Sequence, residues 1–295
     1  MLLAASGCGA EGETQASGGP QFTVTIPPLA MIVEPVVEGR ASVATLLEPG
    51  DSPHTYEPRP SDLRAVQNSE ALVFGAPVLD GWAADLPADR RWAMLDMLPP
   101  AQRRSLSGGS SHGSHKETAR GHGASTTDPH FWTDPLAVQA LLPVLVDSLC
   151  AADADGCPVY RANADTFATT LQRLDERLRT QLRPVRHAPV MLSQPFFHYF
   201  TGRYGPHVVA VVEESPGQEP SARRIETLVN RARTAHVQAI YSQRQLPVRS
   251  ARAVAEATDL PIHTLDPLGG VAGRDTYTTF LLHNADLLLS SLQQE

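Results

Sequence analysis

The sequence predicts an α/β fold of two β/α lobes with mainly parallel sheets, joined by one long rigid helix. Three observations predict it. Short apolar strand patterns alternate with helical ones through residues 22–95 and again through 189–292. Strands that return through helices build parallel sheets. Between the two series, residues 159–182 carry Tyr160, Phe167, Leu171, Leu174 and Leu178 mostly three or four apart, with Arg, Asp and Glu on the other face. That spacing makes an amphipathic helix of about 35 Å at about 1.5 Å per residue, a stiff strut between two domains. At 295 residues the chain is about twice the length of a common single domain and can bury a large core without staples.

In order along the chain, residues 22–26 alternate and read as a strand, 29–37 as a packed helix and 41–46 as a second strand. After a Pro-rich loop, Ser61-Asp62 caps a short helix at Leu63, and 71–74 form a buried strand. Residues 79–86 read as helix and 92–95 as the last strand of this half. Residues 105–127 hold Ser, Gly, His and Thr with almost no large apolar side chain, so they form a loop and no core. Asp134 caps a helix that starts at Pro135 and ends near Cys150. Pro184 terminates the long helix. The second series then runs strand 189–192, helix 196–204, strand 208–212, helix 221–234, strand 239–241, helix 249–257, strand 262–265 and helix 276–292. The resulting division is a signal remnant and tether over 1–20, a first lobe over 21–157, a linking helix over 158–187 and a second lobe over 188–295.

Lys plus Arg number 24 against 32 Asp plus Glu, a formal net charge of −8 that argues against a nucleic-acid partner. Apolar residues make up 42% of the chain but never run for the roughly 18 positions of a membrane span, so no crossing of a bilayer is expected. Eleven His against three Cys point to His-based rather than thiolate-based metal chemistry.

The N-terminus holds a short apolar stub and Ser6-Gly7-Cys8 before a polar run. A whole secretory signal needs a basic flank and about 7 to 15 apolar residues, so this reads as a signal's tail. Small residues ending in Gly-Cys resemble a bacterial lipoprotein cleavage box, with Cys8 lipidated; Ala5 stands where such boxes usually carry Leu. The alternative is an incidental Cys in an unstructured terminus. Cys150 and Cys157 flank a loop-like segment between two helices. An exported chain favours a local disulfide between them, and two free thiols are the alternative. So short a loop contributes little through closure.

Two Pro-His elements carry the chemistry. His54 follows Pro53 on a loop after a strand, where parallel sheets place ligands, and His130 follows Pro129 before a helix. A lone loop His is usually a solvated group; the repetition in corresponding places favours metal ligation more than either His does alone. Asp266 in LDPLGG follows a strand of the second half, as a metal ligand or as a turn Asp.

At these residues the chain resembles the extracytoplasmic solute-binding proteins of bacterial ABC transporters for zinc and manganese. PHTYEPRPSDL at 53–63 and DPHFWTDP at 128–135 carry the resemblance, supported by EPS at 219–221 and LDPLGG at 265–270. It extends from the first strand to the final helix and agrees with the two-lobe reading. It implies a metal between the lobes, held by His54, His130 and Asp266.

The fourth ligand position departs from the pattern. Zinc-type members have His and manganese-type members Glu where this chain has Gln194, a weak neutral ligand. With Pro195 starting a helix, His198 lies one turn from Gln194 and is the expected substitute. The alternative is a site of His54, His130 and Asp266 completed by water. The loop's His112, His115 and His122, with Glu117, resemble the His-rich insertion of zinc-type members; they collect metal weakly or are incidental in a solvated linker.

The resemblance implies Zn2+, with Mn2+ second, captured and delivered to an ABC permease of the inner membrane by a monomer that is no enzyme. It implies the periplasm or the outer face of the cytoplasmic membrane, with membrane contact only through a lipid anchor. The long helix implies a modest shift on binding. Ligating His must be neutral, so affinity is expected to fall below a pH of about 6.5. One rival is a metal-dependent hydrolase with Glu57 as general base. The other is a degenerate binding or adhesion protein that lost metal affinity with Gln194.

Overall fold

The structure, a computed structural model, describes residues 19–106, 127–215 and 218–293. Cys8, His112, His115, Glu117 and His122 lie outside the described residues. The first sheet contains β1 (Gln21–Val24), β2 (Ser42–Thr45), β3 (Ala71–Phe74) and β4 (Arg91–Ala93), in the order β2-β1-β3-β4. The second contains β5 (Pro189–Leu192), β6 (His207–Val211), β7 (Ala239–Gln243) and β8 (Ile262–Leu265), in the order β6-β5-β7-β8. All pairings are parallel, and the two sheets share one strand order. Their carboxyl edges therefore present equivalent sets of loops.

The helices are α1 (Pro27–Val37), α2 (Pro60–Gln67), α3 (Pro77–Asp80), α4 (Met94–Met97), α5 (Pro135–Ala152), α6 (Cys157–Leu182), α7 (His198–Tyr204), α8 (Ala222–Thr234), α9 (Arg249–Thr258) and α10 (Tyr277–Leu292). Local chemistry sets several starts. Asp134 accepts from the N–H groups of Leu136 and Ala137 just as Pro135 presets the first helical turn. Asp62 accepts from Arg59 N at 2.7 Å, closing the first turn of α2 from inside the helix. The helix expected over 79–86 divides into α3 and a 3-10 turn, Gly81–Asp85.

The linking helix is no free strut. Its buried stripe of Tyr160, Ala164, Phe167, Leu171, Leu174, Leu178 and Leu182 packs on α5, α1 and α10. Leu171 is fully buried, and truncating such a side chain to Ala costs about 2–5 kcal/mol. α5 is long and apolar enough to cross a bilayer by length and composition, contrary to the sequence expectation. Val138, Leu141, Leu145 and Leu149 are instead buried in the core, so the helix is apolar because it is an interior element. Where α5 meets α6, Cys150 and Cys157 are bonded, with Cα atoms 4.6 Å apart.

One continuous core runs through both sheets' flanking helices. Trp132, fully buried, donates from Nε1 to the Pro267 carbonyl at 2.8 Å, and the Tyr277 hydroxyl donates to the Trp132 carbonyl at 2.7 Å. The loop that carries His130 is thereby fastened to the loop that carries Asp266.

Candidate metal site at the carboxyl edges of the two sheets

His54 stands on the loop after β2. Its neighbour Pro53 is buried, and the Trp82 indole donates to the Pro53 carbonyl at 2.9 Å, so the backbone beside the imidazole is held. Burial, and secondarily the nearby His130, lowers the His54 pKa to about 4. The ring is neutral at pH 7, the state a metal requires.

His130 is oriented by Asp128. One carboxylate oxygen accepts from the His130 backbone N–H at 2.9 Å and lies 2.7 Å from its Nδ1. That arrangement places the proton on Nδ1 and leaves Nε2 as the bare donor, the usual carboxylate–imidazole support of a metal ligand. The two imidazole centroids are 6.4 Å apart, and both rings line one cavity of about 110 Å3 with Gln194 and Glu214 of the second lobe.

The second-lobe face draws on all four strand ends. Gln194 follows β5, Glu213 follows β6, Gln243 ends β7 and Asp266 follows β8. Its polar groups are already engaged. Gln194 accepts from the Ser193 hydroxyl and donates to Glu213 at 3.0 Å. Asp266 accepts from Leu268 N at 3.1 Å and Gly269 N at 2.9 Å on one oxygen, and from Arg274 Nη1 at 2.7 Å on the other. Its backbone is clamped by the buried Asn284 amide, which both accepts and donates at 2.8 and 2.9 Å.

The structure thus brings His54, His130 and Gln194 together and leaves Asp266 paired elsewhere. Among the described residues no three His, Cys, Asp or Glu side chains converge to hold a metal ion in this conformation. The expectation that His198 lies one helical turn from Gln194 is corrected. α7 begins at His198 itself, and residues 193–197 form an irregular turn in which Phe196 N bonds the Gln194 carbonyl at 3.0 Å. The break is in the backbone: Phe197, at φ −132° and ψ 18°, takes a non-helical cap conformation, so the helix starts only after it, and both Phe196 and Phe197 are buried in the turn. His198 lines a separate cavity with Arg104 and Arg186, although Asp128 and His130 lie near enough to act on its charge. Burial lowers its pKa.

Sequence reasoning missed Asp128, Glu213, Gln243 and Arg274. Asp128, two residues before His130, was readable as an orienting carboxylate; Glu213 was readable as an acid at a strand's carboxyl end. Nothing local marks Arg274. Glu57, the candidate general base, is exposed and lines neither cavity that contains His54.

The family described as zinc-uptake complex component A, periplasmic (ZnuA), matches residues 23–291. The manganese-binding lipoprotein MntA of Halalkalibacterium halodurans is 25% identical over an alignment covering 100% of this chain and 96% of that protein. The high-affinity zinc uptake system protein ZnuA of Paracoccus denitrificans is 28% identical over 71% of each. The fold is also that of the periplasmic zinc-binding protein TroA from Treponema pallidum, with a TM-score of 0.77 at 22% identity over 93% of this chain and 99% of that one. With nearly every described element inside the matched span, the chain belongs to the ZnuA family of ABC-transporter solute-binding proteins.

Proposed function

We propose that the protein captures Zn2+, in preference to Mn2+, between its two sheets and delivers it to an ABC permease of the membrane it faces. The observation that carries this reading is the pair His54 and His130, neutral or oriented for ligation, lining one cavity with their rings 6.4 Å apart. Imidazole nitrogen suits a borderline ion such as Zn2+. His54 and His130 supply the fixed half of the site. Asp266 supplies the carboxylate once it exchanges Arg274 for the ion, and water completes four positions. His198, behind Asp128, is the alternative fourth donor. Gln194 is no free ligand while Ser193 and Glu213 hold its amide.

The same reading makes the protein a monomeric, non-enzymatic carrier on the extracytoplasmic side, anchored through Cys8 where that residue is lipidated. His112, His115 and His122 act as a weak auxiliary collector. The relatives named for zinc or manganese binding support a transition-metal cargo.

Calorimetry of the metal-stripped protein with Zn2+ and with Mn2+ tests the proposal. Tight one-to-one Zn2+ binding, lost by more than about 100-fold in His54→Ala and in His130→Ala, is expected, a larger loss than outer partners produce. Absence of binding by either ion sinks it. His198→Ala decides the fourth donor: unchanged affinity leaves the position to water, and a loss comparable to that of His54→Ala assigns it to His198.

A further inference from the structure

The cavity behind Asp128 is separate from the one that His54 and His130 line and meets the capture described above only through His198. It is an open groove of about 740 Å3 where Arg104 of the first lobe meets α7 and the starts of β5 and β6. Its walls carry Arg104, Arg186, Arg203, His187, His198 and His207 and, among the described residues, no carboxylate. On a chain of net charge −8 with its His neutral, this surface gathers three arginines. Arg203 is neutralised by Asp134. Arg104 and Arg186 have no carboxylate within ion-pair distance among the described residues.

Arg104 is positioned, not loose. Its guanidinium carbon lies 5.4 Å from the centroid of the Tyr199 ring, and its backbone N–H donates to the Tyr199 hydroxyl at 2.8 Å. It approaches α7 so closely that a Cβ at residue 202 would stand 2.2 Å from Nη1. Gly202 is what leaves room for the guanidinium there. His198 adds a buried Nδ1 with no hydrogen-bond partner.

We propose that this cavity is a binding site for a phosphoryl oxyanion, clamped between Arg104 on one lobe and Arg186 at the entry to the other. Two guanidinium forks without a carboxylate partner among the described residues match phosphate oxygens, and charge-assisted bonds to them are the strong kind. The donors stand on several walls. A tetrahedral phosphoryl group projects oxygens in three directions and meets them, whereas a carboxylate offers two oxygens in one plane. The group belongs to free phosphate or to a phospholipid headgroup, which share this chemistry. Occupancy ties the two lobes together beside the metal cleft, because the Arg104 carbonyl accepts from Asp128 N at 2.8 Å and Asp128 orients His130.

Calorimetric titration of the metal-stripped full chain with inorganic phosphate in a chloride buffer tests the site. Saturable one-to-one binding is expected, weakened about 10–100-fold in Arg104→Gln and in Arg186→Gln. Gly202→Ala keeps every charge and pushes Arg104 aside, so it weakens binding as well. Arg252→Gln, on exposed α9 surface, removes the same charge and leaves binding unchanged. No saturable binding, or equal losses in Arg252→Gln and Arg104→Gln, overturns the proposal. Sedimentation with phosphatidylglycerol vesicles then assigns the source: pelleting that Arg104→Gln abolishes assigns a headgroup, and a protein left in the supernatant assigns free phosphate.

Discussion

The two faces of the cleft proposed to hold the metal differ in how their polar groups are satisfied. On the first-lobe face, His130 Nε2 and the His54 ring have no hydrogen-bond partner among the described residues, and Asp128 fixes the His130 tautomer. On the second-lobe face, Gln194 is already held by Ser193 and Glu213, and Asp266 by the N–H groups of Leu268 and Gly269 and by Arg274. One half is preorganised and the other is self-satisfied. Binding a dication then asks nothing of the first face and an exchange of partners on the second.

The largest effect expected on that comparison comes from removing the preorganisation. Asp128→Asn keeps the shape but withdraws the charge that orients His130, and should weaken Zn2+ binding about 10–100-fold by competition calorimetry. An unchanged affinity would place the orientation of His130 in its packing against Trp132 instead.

Next comes the latch on the opposite face. Arg274→Gln frees the second Asp266 oxygen from a charge-assisted bond and should tighten Zn2+ binding about tenfold. Weaker or equal binding would mean that Asp266 never leaves its arginine and serves the loop alone.

A third effect concerns acid stability. The His54 ring titrates near 6.5 when exposed and near 4 in the folded chain. Between those values the unfolded chain takes up a proton that the folded one refuses, so stability falls as pH drops from 6.5 to 4 and the His54 contribution is constant below. The loss is at most about 3 kcal/mol. Urea midpoints of the metal-free protein should therefore separate less between pH 7 and pH 4.5 in His54→Gln than in the parent. The low value also shifts proton competition at His54 itself down toward pH 4.

The smallest effect is a control remote from both faces. The disulfide closes a loop with a sequence separation of 7. Replacing both cysteines with Ser should cost about 2 kcal/mol of stability, the low end of the loop-closure relation because the loop is short, and leave Zn2+ affinity unchanged.

Much of this molecule is legible locally. Strands over 71–74, 189–192 and 262–265 match their apolar runs, and Asp134-Pro135 announces α5, because strand period and capping depend on adjacent residues. His54 and His130 are legible for the same reason, each fixed by its own Pro and loop. The turn at 193–197 is not. Pro195 reads as a helix start, but Phe197 takes a non-helical cap backbone and the helix begins only at His198, which separates His198 from Gln194. The apolar length of α5 likewise has one meaning in a sequence and another once α6 covers it.

By itself, then, the sequence determined the alternation of strand and helix, the long α6 stripe and the two imidazoles of the first face. Only the tertiary structure decided that Asp266 is held by Arg274, that Gln194 is spent on Glu213, and that Arg104 and Arg186 share a cavity. The first set follows from periodicity and from chemistry between neighbours in the chain. The second follows from which loops the two sheets bring to one edge, and from which charges the packed core leaves without a partner.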